Sequence, residues 1–197
     1  MLFSMLFCGN FFGKVKVMHA LNAIALIGLR GSGKTTLGKS LANKLGFTFF
    51  DLDIVFQEKM KQTIANFILT HTWEDFRKIE TQILFSMPKN KVVLSCGGGV
   101  ILKEENRQKL FSDYFTVFLN VPVDELVKRL EKNALKEQRP AFTNKSLYDE
   151  MQELYDNRIG FYQETAHLIE TNFMQKEKQL EHIMDIFIQQ LEKTKGE

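Results

Sequence analysis

Eight residues early in the chain, Gly28-Leu29-Arg30-Gly31-Ser32-Gly33-Lys34-Thr35, have the types and spacing needed to hold a polyphosphate. Glycines at 28, 31 and 33 let the backbone curl so that successive N–H groups point at phosphate oxygens. Lys34 supplies a positive charge for the β- and γ-phosphates, and Thr35 supplies a hydroxyl of the kind that ligates Mg2+. Arg30, Ser32 and Thr36 complete the set of candidate nucleotide-contacting residues. A turn that merely joined two elements would not require Lys-Thr at its end. The motif is common to GTPases, ATPases and small-molecule kinases, so it fixes a triphosphate and leaves the acceptor open.

Further residues narrow the chemistry. Asp51-Leu52-Asp53 closes an apolar run, and carboxylates at the carboxyl end of a strand stand where open α/β sheets bind ligands. Asp53 could instead only cap the following helix. Arg77 lies off the apolar stripe of its segment, free to reach a cleft or to pair with Glu74 or Glu80. Gly97-Gly98-Gly99 follows another apolar run, and three glycines there allow a ligand close to the backbone. Arg158 has Leu154, Tyr155, Phe161 and Tyr162 three and four residues away, so no acid stands at helical pairing distance. Arg139 precedes Pro140 in a polar stretch, where an ordinary basic loop residue is the alternative. Cys96 reads as a packed residue, and His19, His71, His167 and His182 show no ligand spacing.

These groups must be positioned by repeated strand-helix units. Short apolar runs at Ala23–Ile27, Phe47–Leu52, Lys91–Ser95 and Phe115–Asn120, with a last one near Leu168-Ile169, alternate with amphipathic segments, the pattern of a buried parallel sheet. A helix over Lys34–Leu45 is stopped by Gly46. Another over Trp73–Ser86 is capped by Thr72, with Asp75 three residues on and Phe76, Ile79 and Ile83 as its buried stripe. Pro122 opens a helix, one long helix is expected from about Ser146 to Gln163, and a terminal helix carries Leu180, Ile183, Met184, Phe187 and Leu191 on one face.

The chain has 197 residues, enough for one compact domain, and its 44% hydrophobic and 25% charged composition is that of an ordinary globule. A net charge of +2 with intermixed signs excludes a dedicated nucleic-acid face. Two cysteines make no disulfide framework and favour reduced, cytoplasmic thiols. Residues 1–20 read as an N-terminal extension to a kinase-like unit over 21–197. Residues 1–12 are largely apolar, with Lys14 and Lys16 after the apolar run rather than before it, and too short for a membrane span. The expected true start is Met18.

Taken in order and spacing, the phosphate loop, Asp51-x-Asp53, Phe76-Arg77-x-x-Glu80, Gly97-Gly98-Gly99, Arg139-Pro140 and Arg158 with Tyr162 resemble the shikimate kinase family over about Asn22 to Thr171. The resemblance implies a three-layer α/β P-loop kinase fold with a five-stranded parallel sheet, a mobile lid near 133–145 and a substrate-binding subdomain near 53–85. It implies a monomer that uses ATP and Mg2+ to phosphorylate the 3-hydroxyl of shikimate. On that resemblance Asp53 holds the ring hydroxyls and takes the proton, and Arg77 and Arg158 clamp the carboxylate. Gly97, Gly98 and Gly99 line the substrate, with Gly98 and Gly99 as backbone donors. Asp51 stands near Mg2+ through water together with Thr35, and Lys34 and Arg139 act on the transferred phosphate. A gluconate-type kinase and a non-catalytic nucleotide-binding regulator are the alternative readings. The chain departs from the family pattern between Lys59 and Trp73, where it lacks a usual glycine and has Thr72-Trp73 in place of Gly-Glu. It departs again at Ala141-Phe142 and at His167, where an aspartate is usual.

Overall fold

A computed structural model describes residues 21–132, 146–171 and 175–193. The N-terminal extension, the expected lid and Arg139 lie outside the described residues.

Five strands form one parallel sheet: β1 (Ile24–Ile27), β2 (Thr48–Asp51), β3 (Val92–Ser95), β4 (Phe115–Leu119) and β5 (Leu168–Glu170). Their order is β2-β3-β1-β4-β5. β1, β3 and β4 are buried on both faces, which is why they read as unbroken apolar runs. The chain leaves β1 toward one edge and later crosses to the other side of it, so a crevice opens at the carboxyl end of β1.

Two helical layers cover the sheet. On one face α1 (Lys34–Leu45) and α9 (Lys176–Lys193) bury Leu37, Leu41, Ile183 and Phe187 against Ile24, Leu26 and Val93. On the other face lie α2 (Leu52–Met60), α3 (Ile64–Thr70), α4 (Trp73–Ser86), α5 (Glu104–Asp113), α6 (Val123–Lys132), α7 (Leu147–Asp156) and α8 (Ile159–Thr165). The larger core belongs to this face, from Phe56 and Phe76 to Met151 and Tyr162.

The expected ends of α1 and α4 match the structure. Gly46 is left-handed at the end of α1. Thr72 and Asp75 make a reciprocal capping box at the start of α4, which accounts for threonine at a place where glycine is usual. The missing glycine after α2 has a substitute: Lys61 ends that helix in the left-handed region at φ 53°. Phe56 then packs edge-on against Phe67 at 5.2 Å and at a tilt against Phe76 at 4.8 Å, joining α2, α3 and α4 into one small subdomain.

One expectation fails. Residues 146–163 form two helices, α7 and α8, with Asn157 and Arg158 between them. Arg158 leaves helical geometry at φ −123°, and its guanidinium together with the Tyr162 hydroxyl binds the Gly98 carbonyl. The helix breaks where a distant backbone oxygen is met by the side chains of the junction residue Arg158 and of Tyr162 on α8.

Candidate active site

The loop after β1 is shaped as the spacing requires. Gly28, Gly31 and Gly33 have φ of 143°, 80° and 95°, conformations that side-chain-bearing residues rarely adopt. Gly33 is the N-cap of α1, no side chain caps that helix, and its first turn carries no acid. The amides and the positive end of the helix dipole are therefore kept for an anion. The buried Lys34 ammonium spans the loop and donates to the carbonyls of Gly28 at 2.9 Å and Leu29 at 2.8 Å.

Beside it the ends of three strands converge. Asp51 is the register partner of Ser95, and Ser95 is that of Leu26. The Thr35 hydroxyl donates to Asp51 Oδ2 at 2.7 Å and lies 3.4 Å from Ser95 Oγ. Asp51 Oδ1 accepts the Asp53 N–H at 3.1 Å, so Asp51, not Asp53, caps α2. This leaves the partly exposed Asp53 carboxylate, on the first turn of α2, without the capping role that was its plainer alternative. Ser95 was not among the expected site residues. It closes a strand like any small residue, and only the strand order brings it to Thr35.

Arg77 and Arg158 come together as the sequence suggested. Both line a cleft of about 370 Å3 with Trp73, Glu74, Leu102 and Lys103. Arg77 pairs with the buried Glu80 through Nη1, so the paired reading was right about the partner. The same guanidinium stays in the cleft, over the rings of Phe76 at 5.0 Å and Trp73 at 5.9 Å. Arg158 Nη1 and the Tyr162 hydroxyl donate to the Gly98 carbonyl at 3.1 and 2.5 Å. Burial lowers the Arg158 pKa below its ordinary value; the Tyr162 hydroxyl acts against this, and the charge of Arg77 acts with it. Burial also pushes the Tyr162 phenol up to about 12. Asp53 does not line this cleft.

The Cys96 thiol is buried just past the end of β3. Burial raises its pKa far above its ordinary value, Glu80, Asp51 and Asp53 add to this, and Lys34 opposes it. Cys96 is a packed residue of the main core.

Two arginines that the sequence reading passed over also border the site. Arg129 brings Nη1 to 4.0 Å from the position of a Cβ on Gly33. Arg107 donates from Nη1 to the carbonyl of Ile101 at 2.9 Å, behind the cleft rim at Leu102. Neither has a motif signal, because each arrives by helix packing. A second hollow, about 460 Å3, lies on the outer face of α7 among Asp149, Gln152, Glu153, Asp156 and Asn157. Its three carboxylates suit no anionic ligand.

Residues 30–192 match the family model described as shikimate kinase. The chain belongs to the shikimate kinase family. Its similarity to shikimate kinase 2 of Photorhabdus laumondii is 37% identity over 161 residues, 82% of this chain and 92% of that protein. With shikimate kinase 2 of Escherichia coli O1:K1 it is 39% over 144 residues, 73% and 83% of the two chains. The fold is similar to the Acinetobacter baumannii shikimate kinase solved in complex with shikimate, at TM-score 0.78 and 30% identity, covering 86% and 94% of the two chains. It is also similar to the Bacteroides thetaiotaomicron shikimate kinase, at TM-score 0.76 and 32% identity, covering 83% and 97%. Membership in the shikimate kinase family makes the chain an ATP-dependent kinase acting on an alcohol group.

Proposed function

We propose that this chain transfers the γ-phosphoryl group of ATP to the 3-hydroxyl of shikimate. The observation that carries the acceptor is the pairing of Arg77 and Arg158 in one cleft beside the Gly97–Gly99 turn. Two guanidiniums in electrostatic contact are unfavourable alone, and a carboxylate between them offsets that cost with charge-assisted, planar hydrogen bonds. The family relationship points to the same acid.

In this reading Asp53 accepts hydrogen bonds from the ring hydroxyls and takes the proton of the attacking one. Lys34 and the amides at the start of α1 neutralise the phosphates and hold them in line with the hydroxyl. Thr35, Asp51 and Ser95 present only hard oxygens, a donor set that fits Mg2+ with much of its water retained. When bound there, the ion supplies charge neutralisation across the β- and γ-phosphates.

The test is ADP release coupled to acceptor phosphorylation by the full chain, with shikimate and gluconate compared side by side. Turnover is expected with shikimate. Turnover with gluconate alone, or with neither acid, would remove the assignment.

A further inference from the structure

Arg30 belongs to the phosphate loop by sequence, yet its side chain leaves the loop. Nη2 donates to Glu150 Oε1, and Nε lies 3.2 Å from Met151 Sδ, both on α7. The Glu150 side chain is only 4% exposed and that of Arg30 20%, so the pair is held mostly out of water. A carboxylate that deep is retained only with a cation beside it. Met151, its neighbour, is fully buried in the main core.

α7 leads from this contact to the other end of the active site. Its last residue is Asp156, and the chain passes through Asn157 to Arg158, which caps α8 and grips the Gly98 carbonyl. Near that end the Tyr155 hydroxyl bonds Asn120 Oδ1 at 3.2 Å, just past β4. Ten helical residues span about 15 Å. The nucleotide loop is thus pinned to the start of a rigid rod whose far end sets the cleft arginine.

We propose that Arg30 and Glu150 are positioning residues that register the nucleotide loop against α7, so that nucleotide binding orders Arg158 and raises affinity for the acceptor carboxylate. The proposal rests on the shikimate assignment for the identity of that acceptor, and on geometry alone for the link between loop and helix. Thermodynamic reciprocity requires the acceptor to raise nucleotide affinity by the same factor.

Amide hydrogen exchange of the full chain tests the link without the acceptor. The non-hydrolysable ATP analogue AMP-PNP with Mg2+ is expected to slow exchange in α7 and in the first turn of α8. Glu150→Gln is expected to bind AMP-PNP and lose that protection; Arg30→Lys, which keeps a cation, should retain part of it. Equal protection in Glu150→Gln and the unsubstituted protein overturns the proposal, as does an unsubstituted protein in which AMP-PNP protects neither helix. If Glu150→Gln does not fold, Arg30→Lys against Arg30→Met decides in the same way, with equal protection in the two overturning it. Calorimetry of shikimate with and without AMP-PNP then measures the coupling, expected at about 5-fold or more in the unsubstituted protein and near unity in Glu150→Gln. Shikimate that binds to neither counts against the acceptor assignment and leaves the exchange result to judge the link.

Discussion

The Arg77 guanidinium occupies the space that a side chain on Gly99 would need: a Cβ there would stand 2.1 Å from Arg77 Nη2 and 2.4 Å from Cζ. The third glycine of the turn thus leaves the room that the Arg77 guanidinium, from α4, fills. Gly99→Ala must push the guanidinium away from Glu80 and out of its place in the cleft. The KM for shikimate is expected to rise about tenfold or more, with the KM for ATP nearly unchanged, because ångström-scale misplacement of a binding group is costly. Steady-state kinetics with each substrate varied in turn will decide. Equal KM values for shikimate in the two proteins would show that Arg77 does not meet the acceptor.

In the proposed mechanism Asp53 takes the hydroxyl proton. Asp53→Asn keeps the shape and removes the base, so kcat is expected to fall at least about 100-fold. Nucleotide affinity, measured by calorimetry with AMP-PNP, should persist, because Asp51 and Thr35 are untouched. Retained turnover would move the proton to another acceptor.

Trp73 is the single tryptophan of the chain and lines the cleft with Arg77 and Arg158. Its emission is therefore a local reporter of acceptor binding. Titration with shikimate is expected to change the intensity in a saturable way. The response should vanish in Arg158→Ala at the same concentrations. Equal titration curves for the two proteins would separate Trp73 from the arginine clamp.

These features differ in how far the sequence reveals them. The phosphate loop, the α4 cap and the apolar strands were legible because each is set by residues within a few positions. Asp51-x-Asp53 was legible as a pair, yet which aspartate caps α2 depended on side-chain direction. Ser95, Arg129 and Glu150 were not legible. Ser95 meets Thr35 only because β3 lies between β1 and β2, and Glu150 meets Arg30 across 120 residues of chain. The break at Asn157–Arg158 was also hidden, because the Gly98 carbonyl that Arg158 meets there lies on a different element.

Lys61 shows a local rule broken at a local cost. A lysine in the left-handed region carries strain of about 1 kcal/mol that glycine does not. Lys61→Gly is expected to raise the unfolding free energy by up to that amount, with catalytic constants unchanged. Urea denaturation measures it, and a fall in stability would show that the lysine side chain contributes more than its backbone costs.

His167 replaces a usual aspartate and has become part of the packing. Its ring stacks on Phe111 at 4.5 Å and Phe115 at 5.8 Å, and Nδ1 accepts the Thr116 N–H at 3.1 Å. Burial lowers its pKa to about 4 from 6.5. Above pH 6.5 the ring is neutral folded or unfolded, and its contribution is fully present. Between 6.5 and about 4 the unfolded chain takes the proton first, so stability is lost as pH falls through that window. The loss is on the order of 1–3 kcal/mol, toward the lower end because the ring edge meets solvent. His167→Gln, which cannot titrate, should flatten the denaturation midpoint over this range.

The register of Asp51 with Ser95, and of Ser95 with Leu26, has a consequence for how this protein can vary. The spacing of the oxygens around Thr35 is fixed by the hydrogen-bond ladder of the sheet, not by the loops that join its strands. Insertions between α1 and β2, or between α4 and β3, would lengthen the surface and leave that spacing intact. Deleting one residue inside β3 would turn Ser95 to the opposite face and dismantle the cluster, although every residue of the phosphate loop remained in place.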